Sequence, residues 1–181
     1  IVITGSFHST DSLGRLTNAR EFYVFNGRPW PTTPRLNAAI GDSLRFRILN
    51  ASRDLHPMHL HGTYFRVDSR GSGHRDTVYA ADDRRMAVTE ALPPGATMNM
   101  VFSPDRPGTW LMHCHLTFHV VGNPGFGADS VSPEEHERHL TFGHPGEDPD
   151  MHVERNMGGL MMSITVAPPP GWKLPSEGRR L

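Results

Sequence analysis

The feature that most constrains this 181-residue chain is the stretch Gly-Thr-Trp-Leu-Met-His-Cys-His-Leu-Thr-Phe-His at residues 108–119. It contains the only cysteine of the sequence, Cys114, directly between His113 and His115. A Pro-Gly pair before the apolar alternation predicts a β-strand over Thr109–Leu116. Because side chains alternate between the two faces of a strand, the two histidines should point one way and the cysteine the other. One strand can therefore contribute to two different sites.

A second histidine-rich segment, residues 56–62, reads His-Pro-Met-His-Leu-His-Gly. His59 and His61 share one face of an extended segment, whereas His56 lies apart beyond Pro57, which cannot donate to a strand ladder. Two histidines and a cysteine in a trigonal arrangement form the blue-copper pattern, and paired imidazoles suit copper ions that meet dioxygen. The two segments thus offer two His-x-His pairs, His59/His61 and His113/His115, and a separate set, His56, Cys114 and His119.

The two motifs together resemble the third and fourth copper-binding motifs of the multicopper oxidases, the laccase-like family. In that family both motifs lie in the C-terminal cupredoxin domain. Weaker similarity runs from about Phe25 to Val166 and includes Arg75-Asp76-Thr77-Val78 and Arg106-Pro107-Gly108-Thr109-Trp110. The resemblance implies a copper enzyme and a cupredoxin fold.

The resemblance also implies a role for each ligand. His56, Cys114 and His119 would bind the type-1 copper. The trinuclear copper cluster would take its type-2 ligand from His59 and its type-3 ligands from His61, His113 and His115. The other histidines contain no further His-x-His pair. The rest of the cluster is therefore expected from N-terminal cupredoxin domains or from a second chain bearing two such motifs.

The activity implied is one-electron oxidation of a small reducing substrate at the type-1 copper, coupled to reduction of dioxygen to water. Phenols and aromatic amines are the expected substrates, with metal ions left open. The catalytic residues would be His56, Cys114, His119, His113 and His115. The alternative is a blue-copper electron-transfer module without oxygen chemistry, which would leave the four paired histidines without a role.

The axial position of the type-1 site is predicted at Leu160, a residue that cannot coordinate copper. In the family the axial residue follows the second type-1 histidine by five positions, where this chain has Pro124. The last predicted strand instead opens beside Leu160, which indicates an insertion over residues 122–158. Met157 and Met161 are alternatives for the axial place.

The whole pattern predicts an all-β, cupredoxin-like Greek-key β-sandwich with a long, partly helical insertion before its last strand. Short strands recur at intervals of about ten residues between turn signals, and the chain contains 18 glycines and 16 prolines. The predicted strands include Glu21–Phe25, Ser43–Leu49, Met86–Glu90 and Thr97–Phe102, and in the second of these the apolar residues alternate with Arg45 and Arg47. Within the insertion, Ser132-Pro133-Glu134-Glu135 reads as the start of a short helix. The predicted domains are residues 1–20, an incoming strand and linker from a preceding domain, 21–170, the C-terminal cupredoxin domain, and 171–181, a flexible tail.

Net charge and hydropathy argue against some classes of partner and against a membrane-spanning segment. The formal net charge of −1 favours neither nucleic acid nor an anionic membrane as a partner, and no apolar run approaches membrane-spanning length. The chain opens at Ile1 as though in mid-strand, so we expect a mature piece or a fragment whose upstream part is missing. A secreted or periplasmic location is an expectation from the resemblance alone.

Overall fold

Two β-sheets packed on one shared core make up the part of the chain that this computed structural model describes, residues 1–10, 12–13, 16–120 and 157–172. In chain order the strands are β1 (Val2–Thr10), β2 (Leu16–Phe25), β3 (Leu36–Ala39), β4 (Leu44–Asn50), β5 (His56–Leu60), β6 (Phe65–Ser72), β7 (Arg75–Val78), β8 (Arg85–Ala87), β9 (Thr89–Leu92), β10 (Thr97–Phe102), β11 (Gly108–Cys114) and β12 (Met161–Ala167). Two short 3₁₀ turns, Ala81–Asp83 and Thr117–His119, complete these elements. The predicted all-β sandwich is confirmed.

The first sheet has the strand order β2-β1-β4-β10-β6-β7, with β8 also paired to β6. Its central strand β4 alternates as predicted, because Phe46 and Ile48 are buried while Arg45 and Arg47 are exposed. Alternation of this kind places one face of the sheet on the core and the other in solvent.

The second sheet has the order β3-β12-β11-β5-β9 and carries both histidine motifs. β11 lies between β12 and β5 and is antiparallel to both. The core between the sheets receives Met58 and Leu60 from β5, and Trp110 and Met112 from β11. The two motifs are therefore neighbours because their strands are hydrogen-bonded to each other.

Several strand predictions need correction. The strand predicted over Thr109–Leu116 ends at Cys114. The single strand predicted over Met86–Glu90 is divided at Val88, since β8 pairs with β6 in the first sheet and β9 pairs with β5 in the second. Propensity favours extended backbone on both sides of Val88 but does not specify which sheet each half joins. The strand predicted to begin at Glu21 begins at Leu16.

The segment predicted as an incoming strand and linker contains β1, which pairs with β2 and, in parallel, with β4. Residues 2–10 are thus part of the first sheet, and the proposed domain boundaries stay predictions. The predicted helix in the insertion and most of the predicted tail lie outside the described residues. Within the described part of the chain, no helix has the length and apolar character needed to cross a membrane.

Two adjacent residues at the start of β6, Tyr64 and Phe65, test which face of the first sheet packs on the core. Phe65 is fully buried, whereas Tyr64 has 62% of its surface exposed. We expect Phe65→Ala to lower the free energy of unfolding by about 3–5 kcal/mol, because it leaves a cavity in the core. Tyr64→Ala, the matched control, should change it by no more than about 0.5 kcal/mol. Urea denaturation measures both values, and equal effects would contradict the assignment.

Candidate metal centre

The pairing of β5 with β11 sorts the two motifs into two groups of side chains. His113 lies opposite His59, and Cys114 lies opposite Met58. Directly opposed residues of antiparallel strands project on the same face. Cys114 therefore joins the core between the sheets, while His59 and His113 lie on the other face of the second sheet. The predicted separation of His113 from Cys114 is confirmed.

The first group consists of His56, Cys114 and His119, with 0%, 0% and 3% of their surfaces exposed. Sγ of Cys114 lies 3.3 Å from Nδ1 of His119 and 3.7 Å from Nδ1 of His56, and the two Nδ1 atoms are 3.1 Å apart. A point equidistant from the three atoms lies about 2 Å from each, close to the ~2.0–2.3 Å bonds that transition metals make to imidazole and thiolate. The donor set and its spacing therefore fit one copper ion.

The chain after β11 brings His119 back toward Cys114. The ladder ends at Cys114, whose N–H donates to the carbonyl oxygen of Leu160 at 3.0 Å. The N–H of Leu160 in turn donates to the carbonyl oxygen of His119 at 3.1 Å. The buried residue Leu160 thus links the backbones of two ligands. Met161 lies opposite His113, on the face turned away from Cys114, and Met157 is also buried. The axial position at Leu160, with Met157 and Met161 as alternatives, stays a prediction.

Gly159 is required for this close approach. Its φ of +70° lies in the left-handed region, and a Cβ atom there would lie 2.2 Å from the carbonyl oxygen of His119. Any other residue would combine an unfavourable backbone conformation with a steric overlap. The glycine therefore allows β12 to begin directly beside the 3₁₀ turn that carries His119.

A second layer of side chains around this group was not foreseen from the sequence. The ring of Tyr23 packs against both imidazoles, with centroid distances of 4.7 Å to His56 and 4.2 Å to His119. Its hydroxyl donates to the carboxylate of Asp54. Ser52 Oγ lies 2.7 Å from Nε2 of His56. The sequence offers one signal for this layer, since Asn50, Ser52 and Asp54 are all turn-forming residue types.

Burial controls the protonation of this first group. It lowers the pKa of His56 to about 4, with the neighbouring His119 as a smaller cause in the same direction. Burial likewise lowers the pKa of His119, although Asp54 opposes the shift. It raises the pKa of Cys114 to about 12. Without metal, neutral imidazoles thus face a protonated thiol at neutral pH, and only the thiol must lose a proton to become a ligand.

The second group consists of His59, His61 and His113. The Nε2 atoms of His61 and His113 are 2.7 Å apart. Nδ1 of His113 lies 2.7 Å from the carbonyl oxygen of Cys114, and Nδ1 of His59 lies 2.7 Å from that of Val88. A carbonyl can only accept, so both rings carry their proton on Nδ1 and present Nε2 as a metal donor. Burial, together with His61, lowers the pKa of His113 to about 3.

His115 lies at the margin of this second group. Its ring centroid is 5.0 Å from that of His59, and its side chain is exposed. His115 therefore faces outward beside this group. Two carboxylates lie near the motifs in sequence: Asp54 accepts a hydrogen bond from the hydroxyl of Tyr23, and Asp76 accepts one from the hydroxyl of Ser69. Asp54 lies on the side of the first group, and Asp76 lies within β7 of the other sheet, opposite Gly71.

Comparison with known proteins identifies the relationship. The sequence profile of the multicopper oxidases matches residues 7–123. A multicopper oxidase of Mycobacterium tuberculosis, MmcO, is 32% identical over 118 residues, which are 64% of this chain and 21% of that protein. Putative laccase-16 of rice is 40% identical over 85 residues, which are 44% of this chain and 17% of that protein. The chain therefore spans about a fifth of the length of these relatives.

The fold agrees with these matches. The crystal structure of a blue copper oxidase from Nitrosomonas europaea superposes with a TM-score of 0.58 at 19% identity, over 91% of this chain and 42% of that one. The likeness supports the predicted cupredoxin-like sandwich. The extent of the profile match, taken with the His-Cys-His strand and its partner motif, establishes that this chain belongs to the multicopper oxidase family.

Proposed function

We propose that this chain is the cupredoxin unit of a laccase-like oxidase that carries the type-1 copper site and half of the trinuclear site. The observation that carries the proposal is the position of Cys114 between two groups of metal donors. Its Sγ belongs to the first group, while its neighbour in the chain, His113, belongs to the second. An electron-transfer module would need only the first group.

The first group would hold the type-1 copper through His56, Cys114 and His119. Copper bound there would supply one-electron redox chemistry, and copper at the completed trinuclear site would supply the four-electron reduction of dioxygen. Thiolate and imidazole are the donors that blue-copper sites use. The residues themselves contribute a dry, preformed cage, because all three ligands are buried and already converge without rearrangement.

Two connections join the groups. The first is the peptide bond between His113 and Cys114. The second is the hydrogen bond from Nδ1 of His113 to the carbonyl oxygen of Cys114, 2.7 Å long. This bond also fixes the ring so that Nε2 faces His61. Cys114 would thus provide a short route for electrons between the two sites. Its carbonyl oxygen also helps to position the ring of His113, a member of the second group.

The second group and the neighbouring His115 would supply the type-2 ligand, His59, and the type-3 ligands, His61, His113 and His115. The outward position of His115 and the partial exposure of His59 and His61 suit a site that is closed by other polypeptide. We propose that N-terminal cupredoxin domains, or a second chain bearing two His-x-His motifs, complete it. The short span of this chain relative to its relatives supports that arrangement.

The substrate proposed is a small reducing molecule, a phenol or an aromatic amine. The support is the similarity to a protein named as a putative laccase. A metal ion is the other candidate reductant. Oxidation rates measured with phenols and aromatic amines, and with metal ions, decide between the two classes of substrate.

Two single substitutions separate an oxidase from an electron-transfer module. In the assembled protein, Cys114→Ser should abolish the blue absorption band and reduce dioxygen uptake by at least about 100-fold, because the soft thiolate ligand is lost. His61→Ala should retain the blue band and lose dioxygen uptake to a similar extent, since it removes a ligand from the second group only.

These measurements use optical absorption and an oxygen electrode, and exposed Tyr64→Ala is the control for both. Oxygen uptake that survives Cys114→Ser would contradict the oxidase. A His61→Ala protein that keeps the full oxygen uptake would favour the electron-transfer module.

Copper binding at the first group should depend on pH through Cys114 alone. The pKa of this thiol is raised to about 12 and that of His56 is lowered to about 4. Between about pH 6 and 8 the imidazoles are already neutral, so one proton leaves when copper binds. The apparent affinity should therefore rise about tenfold per pH unit. Chelator competition, followed by the blue band, measures the slope, and a flat profile would show that the metal-free thiol is already ionised.

A further inference from the structure

The turn that precedes β5 forms a hydrogen-bond network next to His56. Asn50 is fully buried, and its amide Nδ2 donates to the carbonyl oxygens of Asp54 at 2.6 Å and Leu92 at 2.8 Å. Two carbonyl oxygens can only accept, so the orientation of this amide is fixed. Oδ1 of Asn50 must therefore face Ser52.

The amide oxygen of Asn50 determines where the hydroxyl proton of Ser52 lies. Oδ1 accepts the N–H of Ser52 at 2.9 Å and lies 2.7 Å from its Oγ. Two oxygens at that distance without a proton between them would repel each other, so the single hydroxyl proton of Ser52 points to Asn50. The carbonyl oxygen of Asp54, at 3.4 Å, is a longer alternative for the same proton. In both arrangements the proton points away from His56.

Oγ of Ser52 is then an acceptor toward its remaining neighbours. The N–H of Asp54 donates to it at 3.3 Å, and Nε2 of His56 lies 2.7 Å away. A contact of that length with an acceptor requires a proton on Nε2. A neutral imidazole carries one proton, so the lone pair of His56 is on Nδ1, the atom that faces His119 and Cys114.

We infer that Ser52 is a positioning residue of the first group, His56, Cys114 and His119. Oriented by Asn50, it fixes His56 in the Nε2–H tautomer and directs the Nδ1 lone pair of that ring toward Cys114 and His119. The proton arrangement belongs to the metal-free chain. Its effect on copper rests on the proposed function.

Ser52 should also strengthen His56 as a ligand. An acceptor on the distal nitrogen raises the basicity of an imidazole and fixes the orientation of its ring, and loss of such a partner typically costs 10–100-fold in metal affinity. The loss should be larger for Cu(II) than for Cu(I), because Cu(I) is held mainly by the soft thiolate. Each tenfold difference raises the reduction potential by about 59 mV.

Long-range ¹H–¹⁵N correlation spectra of the metal-free full chain, labelled on histidine, test the tautomer directly. His56 should show a protonated Nε2 and an unprotonated Nδ1, and His56→Gln assigns its signals. Ser52→Ala should produce a mixture of the two tautomers, whereas Ser52→Thr, which keeps the hydroxyl, should preserve the wild-type pattern. A protonated Nδ1 in the wild-type chain would overturn the inference, even if Ser52→Ala fails to fold.

Metal binding supplies the second readout. Cu(II) affinity should fall 10–100-fold in Ser52→Ala, with a higher reduction potential, and should recover in Ser52→Thr. Ser163→Ala is the matched control, because Ser163 Oγ is buried and has no hydrogen-bond partner among the residues that the structure describes. Equal affinities and potentials in Ser52→Ala and wild type would refute the positioning role. Absence of copper binding in the wild-type chain would refute the proposed function, while the tautomer measurement would still decide the proton arrangement.

Discussion

Backbone hydrogen bonds between β5 and β11 fix which side chains of the two histidine motifs meet. They place His59 beside His113 and Met58 beside Cys114, and strand alternation then sends the two pairs to opposite faces of the sheet. A shift of this register by one residue would exchange the faces and bring Cys114 next to the paired histidines. The separation of one thiolate site from one imidazole site is therefore a property of backbone hydrogen bonds. The metal need not create it.

The cost of this arrangement is the burial of ionisable groups in an apolar core. His56, Cys114 and His119 lie within or beside the same core as Met58 and Met112. Desolvation disfavours their charged forms, so the metal-free site holds neutral rings and a neutral thiol. The surrounding groups limit the cost, since Ser52 accepts from His56 and Tyr23 covers both rings. A site built in this way is ready for a metal that displaces one proton.

The sequence was sufficient for the parts of this site that depend on local alternation. Period-two alternation separates Cys114 from His113 and His115 and puts His59 and His61 on one face. The grouping of residues from the two motifs is what the family resemblance implies, and it depends on the pairing of β5 with β11. Ser52 and Tyr23 could not be predicted, because their roles depend on contacts from distant elements. Tyr23 reaches the site from β2, and the amide of Asn50 is oriented partly by Leu92 at the end of β9.

The same distinction applies to the fold. Strand positions such as β10 follow from alternation, whereas the division at Val88 depends on which sheet each half joins.

Copper bound by the first group, His56, Cys114 and His119, is the central requirement of the proposed function. Anomalous scattering at the copper edge, from crystals of the copper-loaded protein, locates the metal. We predict a peak about 2 Å from Sγ of Cys114 and from Nδ1 of both His56 and His119. Copper bound through Nε2 of His56, or copper found only away from Cys114, would contradict it.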